Sequence, residues 1–459
     1  MEKTTIAAIA TAVGVGGIGI VRISGPKAFT IGDRVFRPRR GGKVSDQPSY
    51  SARYGTVTEP AGGKVIDEAI ALVMRSPASY TREDVLELQC HGGPVALAAV
   101  LKEVLAAGAV LAQPGEFTQR AFLNGRLDLA QAEAVGDIIR ASTEANLSLA
   151  QQQLQGRLSE RVRSLREQIL LLEVRLEVGI DFPDDEVPEL EGAELTSRLQ
   201  GLVAEVEGLI AEGEQGRIWR EGLATVIVGK PNVGKSSLLN VLVGHKRALV
   251  TDIPGTTRDV IEETINLSGL PLRLLDTAGI RRTSDIVERL GVEAAKEQLA
   301  AAELVLLVLD AERPWEDEDQ LIYSLCQGKK ILLLLNKIDV GQVLTAAEVK
   351  RRFPREEVIP LSVKEGQGLE QLEDTIIRFA VGNGQRVEHV SVSNRRHLEA
   401  LSRARDALEE AMMALRAGFG YDIISTEVRA ARLELGKITG ETVDQELVHR
   451  IFQDFCLGK

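Results

Sequence analysis

The chain has 459 residues, 44% hydrophobic and 27% charged, too many for one ordinary core and enough for about three globular domains. A formal charge of -12 excludes a generally basic, nucleic-acid-coating protein but leaves room for a local basic surface. Three scattered cysteines, Cys90, Cys326 and Cys456, exclude a disulfide framework and match no zinc-site spacing, which fits a reducing, cytoplasmic compartment.

The first apolar stretch, Ile6 to Val21, is too short for a membrane span and is broken by Gly14, Gly16, Gly17 and Gly19. As a signal peptide it would keep an apolar region of only a few residues. Two strands joined by a glycine turn are expected instead. Gly14, Gly16 and Gly19 satisfy G-x-G-x-x-G, yet strand-like Ile20-Val21-Arg22-Ile23 stands where a dinucleotide fold needs a helix, so that fold is rejected. Over residues 1–118, β-branched runs (Ala69 to Met74, Val85 to Leu88) mix with helix-like Val95 to Ala107, which predicts a compact α+β domain.

Over residues 119–216 the texture becomes helical. Leu154, Leu158, Val162, Leu165, Ile169, Leu172 and Leu176 recur at spacings of three and four, the mark of a long helix burying one stripe, and Asp181-Phe182-Pro183-Asp184 stops it. A comparable stripe returns in residues 382–459 through Leu398, Leu401, Leu408, Met412 and Leu415. Between them, residues 217–381 alternate strand runs with helices, as a parallel α/β sheet does. The simplest arrangement is a nucleotide domain inserted into a helical domain, since each stripe needs a partner; the alternative is three domains in series.

The inserted region carries the chemistry. Strand-like Val226-Ile227-Val228 leads into Gly229-Lys230-Pro231-Asn232-Val233-Gly234-Lys235-Ser236-Ser237, a phosphate-binding loop opening a helix. Lys235 would reach the β/γ-phosphates and Ser236 would ligate Mg²⁺. Asp276-Thr277-Ala278-Gly279 supplies a carboxylate near the Mg²⁺ and a glycine N–H that can sense the γ-phosphate. In Asn336-Lys337-Ile338-Asp339, a carboxylate such as Asp339 accepts both N1–H and the exocyclic amine of guanine, a donor pair that adenine lacks. Ser362-Val363-Lys364 fits the loop that closes over the base. These four elements in one order predict a GTPase rather than an ATPase.

The switch segment is Thr251-Asp252-Ile253-Pro254-Gly255-Thr256-Thr257-Arg258-Asp259, with Thr257 completing the Mg²⁺ shell. Ile280 stands where many GTPases place a water-orienting glutamine, so hydrolysis must recruit something else. Two readings stay open from the residues: slow turnover awaiting an external activator, or a monovalent cation held by Asn232 and switch carbonyls.

The whole chain resembles the MnmE (TrmE) family of tRNA-modification GTPases. The residues that carry this are Arg22-Ile23-Ser24-Gly25, Asp84 to Gln89 with His91-Gly92-Gly93-Pro94, Arg120 to Glu133, and the closing Cys456-Leu457-Gly458-Lys459. The resemblance implies an N-terminal α+β folate-binding-like domain, a helical bundle and an inserted Ras-like P-loop GTPase domain with a mainly parallel sheet. It implies a homodimer formed through N-terminal domains that each bind a one-carbon tetrahydrofolate (5-formyltetrahydrofolate as an analogue) through Arg22, Glu87, Arg126 and Lys459. It implies an FAD-dependent partner, MnmG, the FAD being held by that partner only, in a heterotetramer acting on the wobble uridine of certain tRNAs. It favours the cation reading, with K⁺ held by Asn232, Thr251, Ile253 and Thr256, and assigns catalysis to Glu288, Lys235 and, as a candidate, Cys456. The departures are Pro254, which stiffens φ in the switch segment, and Val363 in place of a more usual alanine. A competing function is a GTPase switch in ribosome assembly, which would need no one-carbon chemistry.

Overall fold

The structure is a computed structural model and describes residues 4–60, 63–181, 192–246, 263–275, 299–381, 392–453, 455 and 458. Two compact units form: Met1–Ile139 with Gln153–Asp181 and Val428–Lys459, and Arg140–Gln152 with Phe182–Glu427. Among the described residues no helix is long and apolar enough to cross a membrane.

In the first unit β1 (Ile6–Ile9), β2 (Ile18–Ser24), β3 (Phe36–Pro38), β4 (Ser51–Thr58), β5 (Val65–Met74), β6 (Val85–His91) and β7 (Val110–Leu111) form one sheet. Its order is β3-β4-β5-β6-β2-β1-β7, antiparallel except where β1 meets β7. The glycine-broken stretch does form two strands, with Ile6 opposite Ser24 and Ile9 opposite Val21. Successive side chains point to opposite faces of a strand. Val21, Ile23, Leu86 and Leu88 therefore share a buried core with residues of α1 (Ala28–Val35) and α2 (Pro94–Ala106). The same period leaves Arg22 and Glu87, directly opposite in register, on the other face.

Next come α3 (Glu116–Leu123), α4 (Leu129–Arg140), α5 (Glu144–Leu154) and α6 (Arg157–Asp181). The long helix expected from Leu154 is two helices. α5 ends at Leu154 and Gly156 adopts φ 89, the left-handed region that favours glycine, before α6 begins. From Leu158 to Leu176 the stripe is continuous and buried. The remaining helices are α7 (Gly192–Glu221), α8 (Lys235–Lys246), α9 (Asp317–Leu325), α10 (Ala346–Arg352), α11 (Leu369–Val381), α12 (Arg395–Arg416), α13 (Tyr421–Thr439) and α14 (Gln445–Gln453). Within the first unit, Glu173 of α6 accepts from Arg429 Nε and Arg432 Nε of α13, each at 2.7 Å. Burial pushes Glu173 up, but the two guanidiniums hold it below the usual carboxylate range. Val448 and Phe452 of α14 pack with Leu129 and Ala132 of α4.

In the second unit β8 (Leu223–Val228), β9 (Glu263–Leu267), β10 (Leu270–Leu274), β11 (Leu304–Asp310), β12 (Lys330–Asn336) and β13 (Glu357–Pro360) form a sheet of order β13-β12-β11-β8-β10-β9. All pairs are parallel except the β9–β10 hairpin. The sheet is covered on both faces, so β11 is buried from end to end and reads as an unbroken apolar run rather than an alternating one. Helices from either side of the nucleotide region in sequence, α7 and α12, pack together. Their approach at Gly213 is so close that a Cβ there would collide with Leu398. The chain thus leaves one helix, builds the sheet and returns to a helix laid against the first, which is the arrangement of an insertion.

Candidate functional site

The strand order reverses beside β8, with β10 on one side and β11 on the other. In doubly wound sheets, ligands bind outside the carboxyl ends of the strands at such a switch point. Here the chain leaves β8 through residues 229–234 into α8. Gly229, Asn232 and Gly234 have φ of 148, 63 and 105, a curl of the kind that gathers backbone N–H groups into an anion-binding concavity. Gly234 is required by space as well as by φ, since a Cβ would collide with the Asn336 side-chain amide. Lys235 is buried, and its ammonium donates to the carbonyls of Gly229 at 2.7 Å and Lys230 at 2.6 Å. Asn232, Ser236 and Ser237 are exposed.

The two base-side motifs, at 336–339 and 362–364, converge on the same edge because β12 and β13 run parallel to β8. Asn336 Nδ2 donates to the Val233 carbonyl at 2.8 Å, and Asn336 Oδ1 accepts the Val363 N–H at 3.1 Å. One buried amide therefore ties the phosphate loop to both base-side loops. Lys337, at φ 67, sends Nζ to Asp310 Oδ2 at 2.7 Å and Glu312 Oε2 at 3.5 Å. Ser362 is buried, and its hydroxyl holds the Asp339 carboxyl below the usual carboxylate range; burial opposes this and Lys364 assists. Thr251, Asp252, Ile253, Pro254, Gly255, Thr256, Thr257, Asp276, Thr277, Ala278, Gly279 and Glu288 lie outside the described residues.

The first unit holds a second constellation. Arg22 Nε pairs with Glu87 Oε1 at 2.8 Å, both side chains being largely buried, and Arg22 Nη1 donates to the Gly458 carbonyl at 3.3 Å. This pair borders a cavity of about 550 Å³ whose lining includes Tyr80, Arg82 and Arg126. The Arg126 guanidinium lies 4.7 Å from the centre of the Tyr80 ring, and Arg22 lies 5.8 Å from it. The segment carrying Tyr80 is pinned from the chain around α3. Arg126 Nη1 donates to the Tyr80 carbonyl at 2.8 Å, Asn124 Nδ2 to the Thr81 carbonyl at 2.7 Å, and the Tyr80 and Thr118 hydroxyls bond at 2.9 Å. The structure thus brings Arg22, Glu87 and Arg126 together. Cys456 and Lys459 lie outside the described residues, although Gly458 between them touches Arg22.

Sequence reasoning missed Tyr80, whose signal was an aromatic residue between two strand runs in a chain only 4% aromatic. It also missed Lys230 and Asp310, which reveal themselves only through partners distant in sequence. The two described cysteines have no chemistry to offer at neutral pH. Burial pushes the Cys90 thiol up to about 12, with Asp67 adding to it, and pushes the Cys326 thiol up to about 11. The thiolate is the reactive form. Iodoacetamide at pH 8 is therefore expected to leave Cys90 and Cys326 unmodified in the native protein, as read by peptide mass. Labelling of either at the rate of a free thiol contradicts this burial.

Two family models match the chain: "GTP-binding protein TrmE N-terminus" over residues 5–126 and "MnmE helical domain" over residues 129–456. A protein of Desulforamulus reducens named tRNA modification GTPase MnmE is 48% identical over 461 residues, covering 100% of both chains. The chain belongs to the MnmE (TrmE) family. Proteins of the same name from Geobacillus kaustophilus (46% identical over 460 residues, 100% of both chains) and Geobacter sulfurreducens (47% over 460 residues, 100% of this chain and 99% of that one) are similar along their whole length. The family's helical-domain match runs from α4 past α14 and so brackets the α/β nucleotide domain, which is an insertion within it.

Proposed function

We propose that this chain is a K⁺-activated GTP hydrolase that works with an FAD-dependent partner (MnmG). Together they would modify C5 of the wobble uridine of certain tRNAs to a (carboxymethyl)aminomethyl form, using a one-carbon tetrahydrofolate. The observation that carries the reading is the coexistence in one chain of two sites. One is a phosphate loop tied through Asn336 to a guanine-type carboxylate; the other is a cavity where the Glu87 carboxylate and two guanidiniums surround Tyr80. Family membership and the shared name of the relatives support the link to tRNA.

In this reading residues 1–118 dimerise and bind folate, residues 119–216 and 382–459 make the helical domain, and residues 217–381 hydrolyse GTP. The backbone of 232–237 and Lys235 would bind the phosphates, and Asn336, Lys337 and Asp339 would read the base under the loop 362–364. The donor sets suit the ions. Ser236 lies exposed in the first turn of α8, hydroxyl chemistry that fits Mg²⁺ together with Thr257. Asn232 lies exposed at a left-handed φ, where its amide oxygen fits a monovalent cation with Thr251, Ile253 and Thr256. Bound there, the two cations would neutralise charge developing on the transferred phosphoryl group. Glu288 would orient the attacking water in place of the glutamine that Ile280 replaces. In the cavity, the Glu87 carboxylate would accept pterin N–H groups, and Arg22, Arg126 and Lys459 would suit the anionic glutamate tail. Cys456 is the candidate for the uridine step, and the assembly is a homodimer joined to its flavoprotein partner as a heterotetramer.

GTP hydrolysis is expected to run about tenfold or more faster in KCl than in NaCl at equal ionic strength, and the advantage should vanish in Asn232→Ala. Equal rates in the two salts overturn the cation assignment.

A further inference from the structure

We infer that Lys230 is a positioning residue for GTP, acting through a buried ion pair that braces the phosphate loop against the start of α9. This rests on the reading of residues 229–237 as the GTP-phosphate site. The Lys230 side chain is only 4% exposed, and its ammonium is engaged by carboxylates at the start of α9. Nζ contacts Glu316 Oε2 and Asp319 Oδ2, each at 2.7 Å. Both carboxylates already have a task. They form the reciprocal capping box of α9, in which Asp319 Oδ2 accepts the Glu316 N–H at 3.0 Å. The anchor is thus tied to the first turn of α9 as well as to Lys230. Burial draws the Lys230 ammonium down, but Asp319 and Glu316 more than offset this and keep it charged.

The consequence lies in the backbone. The Lys230 carbonyl and its neighbour at Gly229 are the two acceptors on which the Lys235 ammonium rests. Lys235 must present that ammonium to a polyphosphate from a defined place, and the place is set by the direction of these two carbonyls. A loop with three residues at positive φ, Gly229, Asn232 and Gly234, has little helical or sheet pairing of its own to fix them. The clamp from the Lys230 side chain to α9 supplies what the loop lacks. A basic residue here therefore aligns another lysine rather than adding a second phosphate contact.

The test is steady-state GTP hydrolysis by the full chain, with melting temperature followed in parallel. Lys230→Met should raise KM for GTP about tenfold with kcat within about threefold, and Lys230→Arg should recover most of the loss. A residue that only supports folding would lower the folded fraction, which reduces kcat at unchanged KM. If Lys230→Met does not fold, Glu316→Lys reverses the half-exposed end of the clamp and should raise KM about fivefold. A KM within twofold of the unsubstituted protein in whichever of these variants folds overturns the inference. Failure of the GTP reading itself looks different, since the unsubstituted protein would then show no saturable hydrolysis.

Discussion

Asp339→Asn is expected to cost GTP about 100-fold or more in affinity and to turn the preference of the chain towards xanthosine triphosphate. Guanine offers two donors, N1–H and the exocyclic amine, to a carboxylate that only accepts. An asparagine presents one acceptor and one donor, which matches xanthine, where a carbonyl replaces that amine. The surroundings of Asp339 are arranged for the ionised form, with the Ser362 hydroxyl and then Lys364 holding the carboxyl low against the effect of burial. The sign of the pH dependence follows. A carboxyl held below its ordinary value stays charged as the pH falls through about 4, so affinity for guanine nucleotides should be level from pH 8 down to that point and fall only below it. Competition binding of GTP, XTP and ATP to the wild-type and substituted proteins checks both halves. An unchanged ranking would place base reading elsewhere.

Glu87→Ala should weaken binding of 5-formyltetrahydrofolate by roughly 10- to 100-fold, the 1.5–3 kcal/mol of a hydrogen bond to a charged group. The carboxylate sits opposite Arg22 in the β2–β6 register, on the face of the sheet away from α1 and α2, and lines the same cavity as Arg126 and Tyr80. Removing it deletes the acceptor for pterin N–H groups and strips Arg22 of its 2.8 Å partner in a largely buried setting. Isothermal titration of the full chain reads the affinity, and a melting curve separates lost binding from lost fold. Affinity within twofold of wild type at an unchanged melting temperature would remove Glu87 from the site.

How much of this was legible depends on how local each signal is. The phosphate loop, the Asn336 to Asp339 turn and the Ser362 to Lys364 turn are contiguous runs whose residue types state their chemistry, and parallel strands then bring them to one edge. The Arg22 and Glu87 strands were legible as strands, and the family resemblance assigned both residues to one site, but their cross-strand pairing was not legible, because alternation says which face a residue takes and not which residue lies opposite. The helix expected to begin at Leu154 failed at Gly156, where leucine periodicity continued across a break in the backbone. The roles of Tyr80 and Lys230 were missed for one reason. Their roles are fixed by partners dozens of residues away: Thr118 and Arg126 for the ring, Glu316 and Asp319 for the ammonium. Pairing of that kind is a property of the fold and leaves no pattern in a single chain.

The most direct measurement is a reconstituted reaction containing this protein, the flavoprotein partner, a one-carbon tetrahydrofolate, an amine donor (ammonium or an amino acid) for the aminomethyl nitrogen, GTP, Mg²⁺, K⁺ and tRNA, read as nucleoside mass. The account predicts a new aminomethyl-type substituent on C5 of the wobble uridine that is lost when GTP, folate or K⁺ is omitted. GTP consumed at full rate with the tRNA mass unchanged in the complete mixture would contradict it, and would mark the chain as a switch without one-carbon chemistry.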